Sequence, residues 1–287
     1  MTRSAATRSA ATTLSIVIVS YNARVHLENC LRSLASAPPA IPHDIVVVDN
    51  ASTDDSVPAV RAQWPSVAVI AQKTNAGFAA ANNAGIRATR GGLVLLLNND
   101  TIVPRGAIET LVGRLLAHPD AAVAGPRLVD GEGIAELSFG PMISPLGELR
   151  QKIVVGLHQR RVGLASRWVE RSTRRERFVD WVSGACLLVE RAAAGQAGLL
   201  DERYFLYTED VDFCAAIRAG GRKVLFAPAS EVVHLRGRSR ATSPAKMQAA
   251  YRRSHLAFYD KHHPRWARLL RVYFRLKGQL PSDSPQR

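Results

Sequence analysis

An α/β fold with a mostly parallel central sheet and helices on both faces is predicted by three features of the 287-residue sequence. Residues 93–101 read Leu-Val-Leu-Leu-Leu-Asn-Asn-Asp-Thr. Five consecutive aliphatic residues are too many for a strand wetted on one face and suit one buried on both sides. Apolar runs alternate with helix-patterned segments, the spacing of right-handed βαβ crossovers. Three apolar runs end in polar side chains, at Asn22, Asp49 and Asp100. Those tips are expected on one edge, just outside the carboxyl ends of the strands, where open α/β sheets bind ligands.

The elements follow in order. Residues 14–19 are a β-branched strand, followed by a polar turn and a helix carrying Leu27, Leu31 and Leu34, closed by Pro38-Pro39. Residues 45–48 form a second strand, and Ser52-x-x-Asp55 reads as a capping-box-like start for the next helix. A third strand covers 67–70, and an Ala-rich helix with a glycine near its start occupies the Asn75–Asn83 region. After the Leu93 strand come a helix over 107–116 and a short strand over 121–124. Periodicity fades between Glu136 and Phe178, a Gly/Pro-punctuated and then Arg-rich stretch expected to be a functional lid or disordered. A strand is expected over 179–189, a helix from Thr208 to Ala219, a strand over 223–226 and a short β-rich stretch holding His234. From Pro244 onward the chain reads as helical and basic.

Composition narrows the function classes. The apolar fraction, 47%, supports a full core. Cys30, Cys186 and Cys214 match neither a zinc motif nor a disulfide framework and read as small core residues of a cytosolic protein. No run approaches the roughly 18 apolar residues of a membrane-spanning helix. The net charge of +14 is concentrated: residues 236–287 carry thirteen Lys/Arg against two acids, and 150–177 carry nine against two. Two basic surfaces imply an anionic partner. No nucleic-acid motif accompanies them, which disfavours nucleic acid. Neither a Walker pattern nor G-x-G-x-x-G occurs, which removes the P-loop and dinucleotide classes.

Thr208-Glu209-Asp210-Val211-Asp212 admits two readings. Thr208 as N-cap with three acids in the first turn would favour the positive end of a helix dipole. Two adjacent acids also form a general-base site, because a neighbouring negative charge raises a carboxylate's proton affinity. Asp212 is expected to serve the dipole or to pair with a basic neighbour.

Seven segments in order resemble glycosyltransferase family 2, particularly its bacterial rhamnosyltransferases. They are Ile16-Val-Ile-Val-Ser20-Tyr21-Asn22, Val47-Val-Asp49-Asn-Ala-Ser-Thr-Asp54, Asn75-x-Gly77-Phe-Ala-x-x-x-Asn83, Leu97-Asn98-Asn99-Asp100, Trp181-Val-Ser-Gly184-Ala185, the Thr208–Asp212 run and His234-x-x-Gly237-x-Ser239. The resemblance implies a GT-A nucleotide-diphosphosugar transferase fold over 14–240, with a nucleotide-sugar half (14–128) and an acceptor half (129–240). A disordered arm (1–13) would precede it and a basic amphipathic helical region (241–287) would follow.

It further implies an inverting transfer of sugar, with dTDP-rhamnose as expected donor and a cell-surface or polyprenyl-linked glycan as acceptor. Ser20, Tyr21, Asn22, Asp49, Asn75, Gly77, Asn83, Asn98 and Asn99 would line the nucleotide-sugar. Trp181, Gly184 and Ala185 would meet the acceptor. Asp210 would be the base with Glu209 beside it, and Asp100 and His234 would hold Mg²⁺ or Mn²⁺. Asn98 stands where the family's Asp-x-Asp motif has its first acid, so metal affinity should lean on the donor's phosphates.

At the C-terminus a helical wheel gathers Trp266, Leu269, Leu270, Tyr273, Leu276 and Leu280 on one side, with Arg268, Arg271 and Arg275 opposite. That stripe packs on the catalytic domain or lies in an anionic membrane surface, which would place a cytoplasmic enzyme peripherally on the inner face of the plasma membrane.

Overall fold

The structure, a computed structural model, describes residues 13–235 and 244–279. The first half is a run of βα units: β1 (Leu14–Ser20), α1 (Arg24–Ser36), β2 (His43–Asp49), α2 (Ser56–Gln63), β3 (Ala68–Ala71), α3 (Phe78–Ala88) and β4 (Leu93–Asn98). There follow β5 (Thr101–Ile102), α4 (Ala107–Leu116), β6 (Ala121–Val129), β7 (Phe139–Gly140), α5 (Pro145–Gln159) and α6 (Gly163–Ser172). The second half continues with β8 (Arg177–Val179), β9 (Trp181–Val182), β10 (Cys186–Glu190), α7 (Arg191–Gln196), α8 (Glu209–Ala219), β11 (Lys223–His234), α9 (Pro244–His262) and α10 (Pro264–Leu276).

The main sheet runs β3-β2-β1-β4-β10-β6-β11-β5, with β8 also on β11. The β3-β2, β2-β1, β1-β4 and β6-β11 pairs are parallel, whereas β10 lies antiparallel between β4 and β6. Every residue of β1 is buried. Leu14, Ile16 and Ile18 pack with α1 and α4 on one face, and Val17 and Val19 with α3 and α8 on the other. Helices on both faces explain why β1 and β4 tolerate no polar alternation. Because β10 is reversed, it starts where β4 ends, so residues 183–185 enter the sheet beside Asn98: the Asn98 N–H donates to the Ala185 carbonyl at 2.9 Å.

Several sequence expectations change. Residues 136–178 are not a disordered stretch: they hold β7, two helices and the start of β8. The start signals were present, since Ser144 caps α5 by accepting from the Gly147 N–H, with Pro145 at the first helical position and Glu148 in the first turn. They were masked because α5 and α6 bury few apolar side chains: Ile153, Leu164 and Trp168 are exposed. The expected strand 179–189 is broken into β8, β9 and β10. Ser52 is not a cap; Asp55 precedes α2, and Ser52 Oγ accepts from the Asn22 N–H instead. Thr208 does not cap α8: it sits at φ 67° with its hydroxyl donating to the Tyr207 carbonyl. The 223–226 strand and the His234 stretch are one strand.

Residues 1–12 of the expected arm, and Gly237, Ser239 and Leu280, lie outside the described residues. Thr13 joins the fold, its carbonyl accepting from the Leu93 N–H at 3.1 Å. Among the described residues no helix is long and apolar enough to cross a membrane.

Candidate active site

The carboxyl ends of β1, β2 and β4 lie side by side, and their polar tips bond to one another. The Asn50 N–H donates to the Ser20 carbonyl at 2.8 Å, and Asn99 Nδ2 to Ser20 Oγ at 3.2 Å. Asn22, in the left-handed region at φ 47°, accepts from the Thr53 N–H at 2.7 Å. Asp49 is buried; its Oδ2 accepts from the Ser52 N–H at 2.9 Å, whereas its Oδ1 has no hydrogen-bond partner among the described residues. A buried carboxylate oxygen without a donor is costly unless a ligand supplies one. Tyr21 is half-buried on the same loop.

Asn50 ties this loop to the next. Its Nδ2 donates to Asn75 Oδ1 at 2.8 Å and to the Gly77 carbonyl at 3.1 Å, and its Oδ1 accepts from the Ala76 N–H at 2.9 Å. Gly77 is required there. Its φ is +89°, and an added Cβ would stand 2.5 Å from the Phe205 carbonyl oxygen. That approach lets the Phe78 N–H donate to the same oxygen at 2.7 Å, fastening the start of α3 to the segment before α8.

The second half of the chain contributes a carboxylate pair. Asp210 Oδ2 accepts from the Gly184 N–H at 2.8 Å and Oδ1 from the Val211 N–H at 2.8 Å. A Cβ on Gly184 would lie 3.2 Å from Asp210 Cβ, so the glycine permits this contact. Glu209 is buried, and its Oε2 has no partner among the described residues. Burial and the Asp210 charge push the Glu209 carboxyl well above the usual range, while burial raises Asp210 against the pull of its N–H donors. Asp210 alone of the two has backbone N–H groups on both carboxylate oxygens, which favour its charged form. The turn before them is strained, with Tyr207 at φ 71° and Thr208 at φ 67°.

Asp100 and His234 meet at the end of β4 and β11, with Asp100 Oδ1 3.4 Å from His234 Nε2. His234 Nδ1 faces Glu136 Oε2 at 3.2 Å. Burial lowers the His234 pKa, but the hydrogen bonds to Asp100 and Glu136 outweigh it and lift the imidazole to about 9. Burial likewise works against the Asp100 anion, and the His234 contact overcomes it and lowers that carboxyl. A carboxylate behind a histidine's second nitrogen is the arrangement that orients metal-binding imidazoles. No group of three or more His, Cys, Asp or Glu side chains suited to a metal occurs among the described residues. Asp100 and His234 thus offer two ligand atoms, and the rest of a cation's shell would have to come from elsewhere.

Some expected residues have other uses here. Asn83 is buried, with its amide engaged by Leu200 and by Glu202 Oε1. Trp181 is buried too, its indole N–H donating to the Pro141 carbonyl at 2.8 Å. Asn98 Oδ1 is buried and unpartnered among the described residues. Asp212 is structural: it accepts from His262 Nε2 at 2.6 Å, Lys261 Nζ at 2.8 Å and the Tyr204 hydroxyl at 3.2 Å, anchoring α9. Three contributors escaped sequence reasoning. Asn50 and Ser52 stood inside a quoted motif, and Glu136 opened the stretch with no period.

The family model for glycosyl transferase family 2 matches residues 15–173. An N-acetylglucosaminyl-diphospho-decaprenol L-rhamnosyltransferase of Mycobacterium tuberculosis is 32% identical over 280 residues, covering 93% of this chain and 90% of the relative. A hexosyltransferase of low-salt glycan biosynthesis from Haloferax volcanii is 28% identical, covering 71% of this chain and 61% of its own. Among solved structures, a Pyrobaculum calidifontis mannosyltransferase with GDP-Man and Mn²⁺ aligns at TM-score 0.61 and 17% identity, over 88% of this chain and 64% of its own. GalNAc-T7 with UDP, GalNAc and Mn²⁺ aligns at TM-score 0.60 and 18% identity, over 86% and 48%. The chain spans less than two thirds of either structure, and their likeness establishes the GT-A fold. The family match and the near full-length relative identify the chain as a rhamnosyltransferase-like glycosyltransferase of family 2.

Proposed function

We propose that the protein transfers L-rhamnose from dTDP-rhamnose to a polyprenyl-linked glycan, with inversion at the sugar's C1. The observation that carries this reading is the near full-length similarity to a transferase whose acceptor is a diphospho-decaprenol sugar. It is supported by the site. The unpartnered Oδ1 of Asp49 suits the N3–H of thymine. Asp210, held by two backbone N–H groups, takes the proton of the acceptor hydroxyl as that oxygen bonds to C1. The bond from C1 to the donor's diphosphate breaks from the opposite side, and both electrons leave with the nucleoside diphosphate. Glu209 beside it raises the proton affinity of the pair, which suits a base.

Asp100 and His234 would hold Mg²⁺ or Mn²⁺, which neutralises charge on the departing diphosphate. Asn98 adds at most a neutral oxygen, so the donor's phosphates complete the shell.

The described part of the C-terminal region supports a membrane-facing placement. In α10, Ala267 and Phe274 are buried and Leu270 packs against the core, while Trp266, Leu269, Tyr273 and Leu276 are exposed, Leu276 at 84%. Arg265, Arg268, Arg275 and Lys277 are exposed around them. Such a face suits an anionic bilayer surface.

The test is a donor panel of dTDP-rhamnose, UDP-hexoses and GDP-mannose, each with a polyprenyl-diphospho-N-acetylglucosamine acceptor. Rhamnose transfer with an inverted anomeric configuration by NMR is expected, and it should cease in excess chelator. Transfer only from a UDP-hexose would replace the donor assignment, a reading that the hexosyltransferase relative keeps open.

A further inference from the structure

Away from the carboxylate-lined edge, a cavity of about 970 Å³ opens against α6. Its lining is mostly basic, with Arg161, Arg167, Arg171, Arg174 and Arg175, and includes one carboxylate, Glu170, together with the turn after β6. The arginines are unequally satisfied. Arg161 pairs with Glu132, and Arg174 with Glu170, which also holds Arg127 at 2.8 Å. Arg167, Arg171 and Arg175 have no carboxylate partner among the described residues. Arg167 and Arg171 stand four residues apart on α6, a like-charge pair that destabilises a helix on its own, and Arg175 follows in the turn after it. A multiply charged oxyanion reverses that repulsion, since guanidinium forks match phosphate oxygens in pairs.

Two further observations specify the anion. Leu164 and Trp168, beside these arginines on α6, are exposed at 81% and 44%, so an apolar chain has a surface next to the charge. One residue of the lining is also linked by hydrogen bonding to the segment that carries Glu136. His158 Nε2 lies 2.9 Å from the Ala135 carbonyl, and Ala135 precedes Glu136, the partner of His234.

We propose that this cavity binds the phosphate of an amphiphile, the diphosphate of a prenyl-linked acceptor or the headgroup of an anionic phospholipid, with Leu164 and Trp168 along its chain. Assigning the phosphate to the acceptor rests on the function proposed above; phosphate binding itself does not.

The full-length triple variant Arg167→Gln/Arg171→Gln/Arg175→Gln tests it, with the Arg→Lys triple as the charge-conserving control. Binding of farnesyl diphosphate, farnesol and phosphatidylglycerol nanodiscs is measured in EDTA, which removes any cation from the nucleotide site. Farnesyl diphosphate affinity is expected to fall by roughly tenfold or more in the Gln triple and less in the Lys triple, with farnesol unaffected. An equal loss toward nanodiscs assigns the phosphate to a phospholipid headgroup. A loss confined to the diphosphate, with a raised acceptor KM and unchanged donor KM and kcat, assigns it to the acceptor. Equal binding by wild type and both triples, or binding lost in Asp100→Ala instead, overturns the proposal. A wild type that binds farnesyl diphosphate through these arginines yet transfers no sugar would sink the proposed function and leave the cavity assignment standing.

Discussion

The first and second halves of the chain meet at one sheet edge but hold their polar groups differently. In the first, most polar loop residues bond to one another, Asn22 with Thr53, Asp49 with Ser52, Asn50 with Asn75 and Gly77, and leave Asp49 Oδ1 and Asn98 Oδ1 buried without a partner among the described residues. The partners are either neighbours in sequence or sit on adjacent parallel strands, so the loops are held in shape before any donor arrives. In the second, the groups with chemistry left over stand on segments joined by distant contacts. Asp210 is placed by Gly184, Glu209 is left unpartnered, and α9 is tied down through Asp212 and Glu148. Loops that bond to one another keep their shape locally, whereas a side chain placed by a distant segment depends on the whole fold.

The contrast is sharpest within one helical turn, and substitution there should separate chemistry from architecture. Asp210→Asn is expected to lower turnover by at least about 10²-fold, the usual contribution of a general base, with nucleotide affinity and melting temperature little changed. Asp212→Asn should do the reverse. It removes the charge facing Lys261 and His262, at a stability cost of about 1–3 kcal/mol, while folded molecules retain their turnover. Kinetics and thermal melts on both variants decide it, and a dead Asp212→Asn that melts normally would merge the two roles.

Gly77→Ala probes the seam between the halves. A Cβ at φ +89° and 2.5 Å from the Phe205 oxygen should cost about 1–3 kcal/mol in strain and raise the donor KM before it affects acceptor binding. A variant that melts and binds donor like wild type would show that the seam yields freely.

Glu148 makes a pH-dependent link between α5 and α9, accepting from His255 Nε2 at 2.8 Å and the Tyr259 hydroxyl at 3.0 Å. Burial opposes its charge, but the His255 and Lys152 contacts outweigh burial and bring the carboxyl down to about 2. A depressed carboxylate contributes stability that is complete above its unfolded pKa and is lost as pH falls through the folded one. The link should therefore hold above about pH 4.5 and fail progressively toward pH 2, and Glu148→Gln should flatten that part of the stability curve. Acid titrations of both proteins, followed by melting temperature, test this; superimposed curves would exclude Glu148.

The smallest expected effect lies in α10. Trp266→Ser/Leu269→Ser/Leu276→Ser changes only exposed side chains and should leave activity on soluble acceptors intact. Co-sedimentation with anionic liposomes should drop and, in the wild type, weaken with salt over the range of a Debye length of about 10 Å. Equal sedimentation of wild type and variant would remove this face from the membrane.

Local pattern in the sequence determined the parallel core, the boundaries of α4 and the end of α8, and the polar strand tips, because buried strands and helix periods are written in neighbouring residues. It also separated Asp100 and Asp210 as candidates through the motifs around them. Only the tertiary structure decided which acid does what. Asp210 meets a backbone N–H 26 residues upstream, Asp212 meets a lysine 49 residues downstream, and His234 acquires Glu136 from across 98 positions. The helices of residues 145–172 were equally hidden, because they stand partly exposed and so carry little apolar period. A carboxylate's role depends on whether its neighbours donate a proton, a charge or nothing, and those neighbours come from wherever the chain returns.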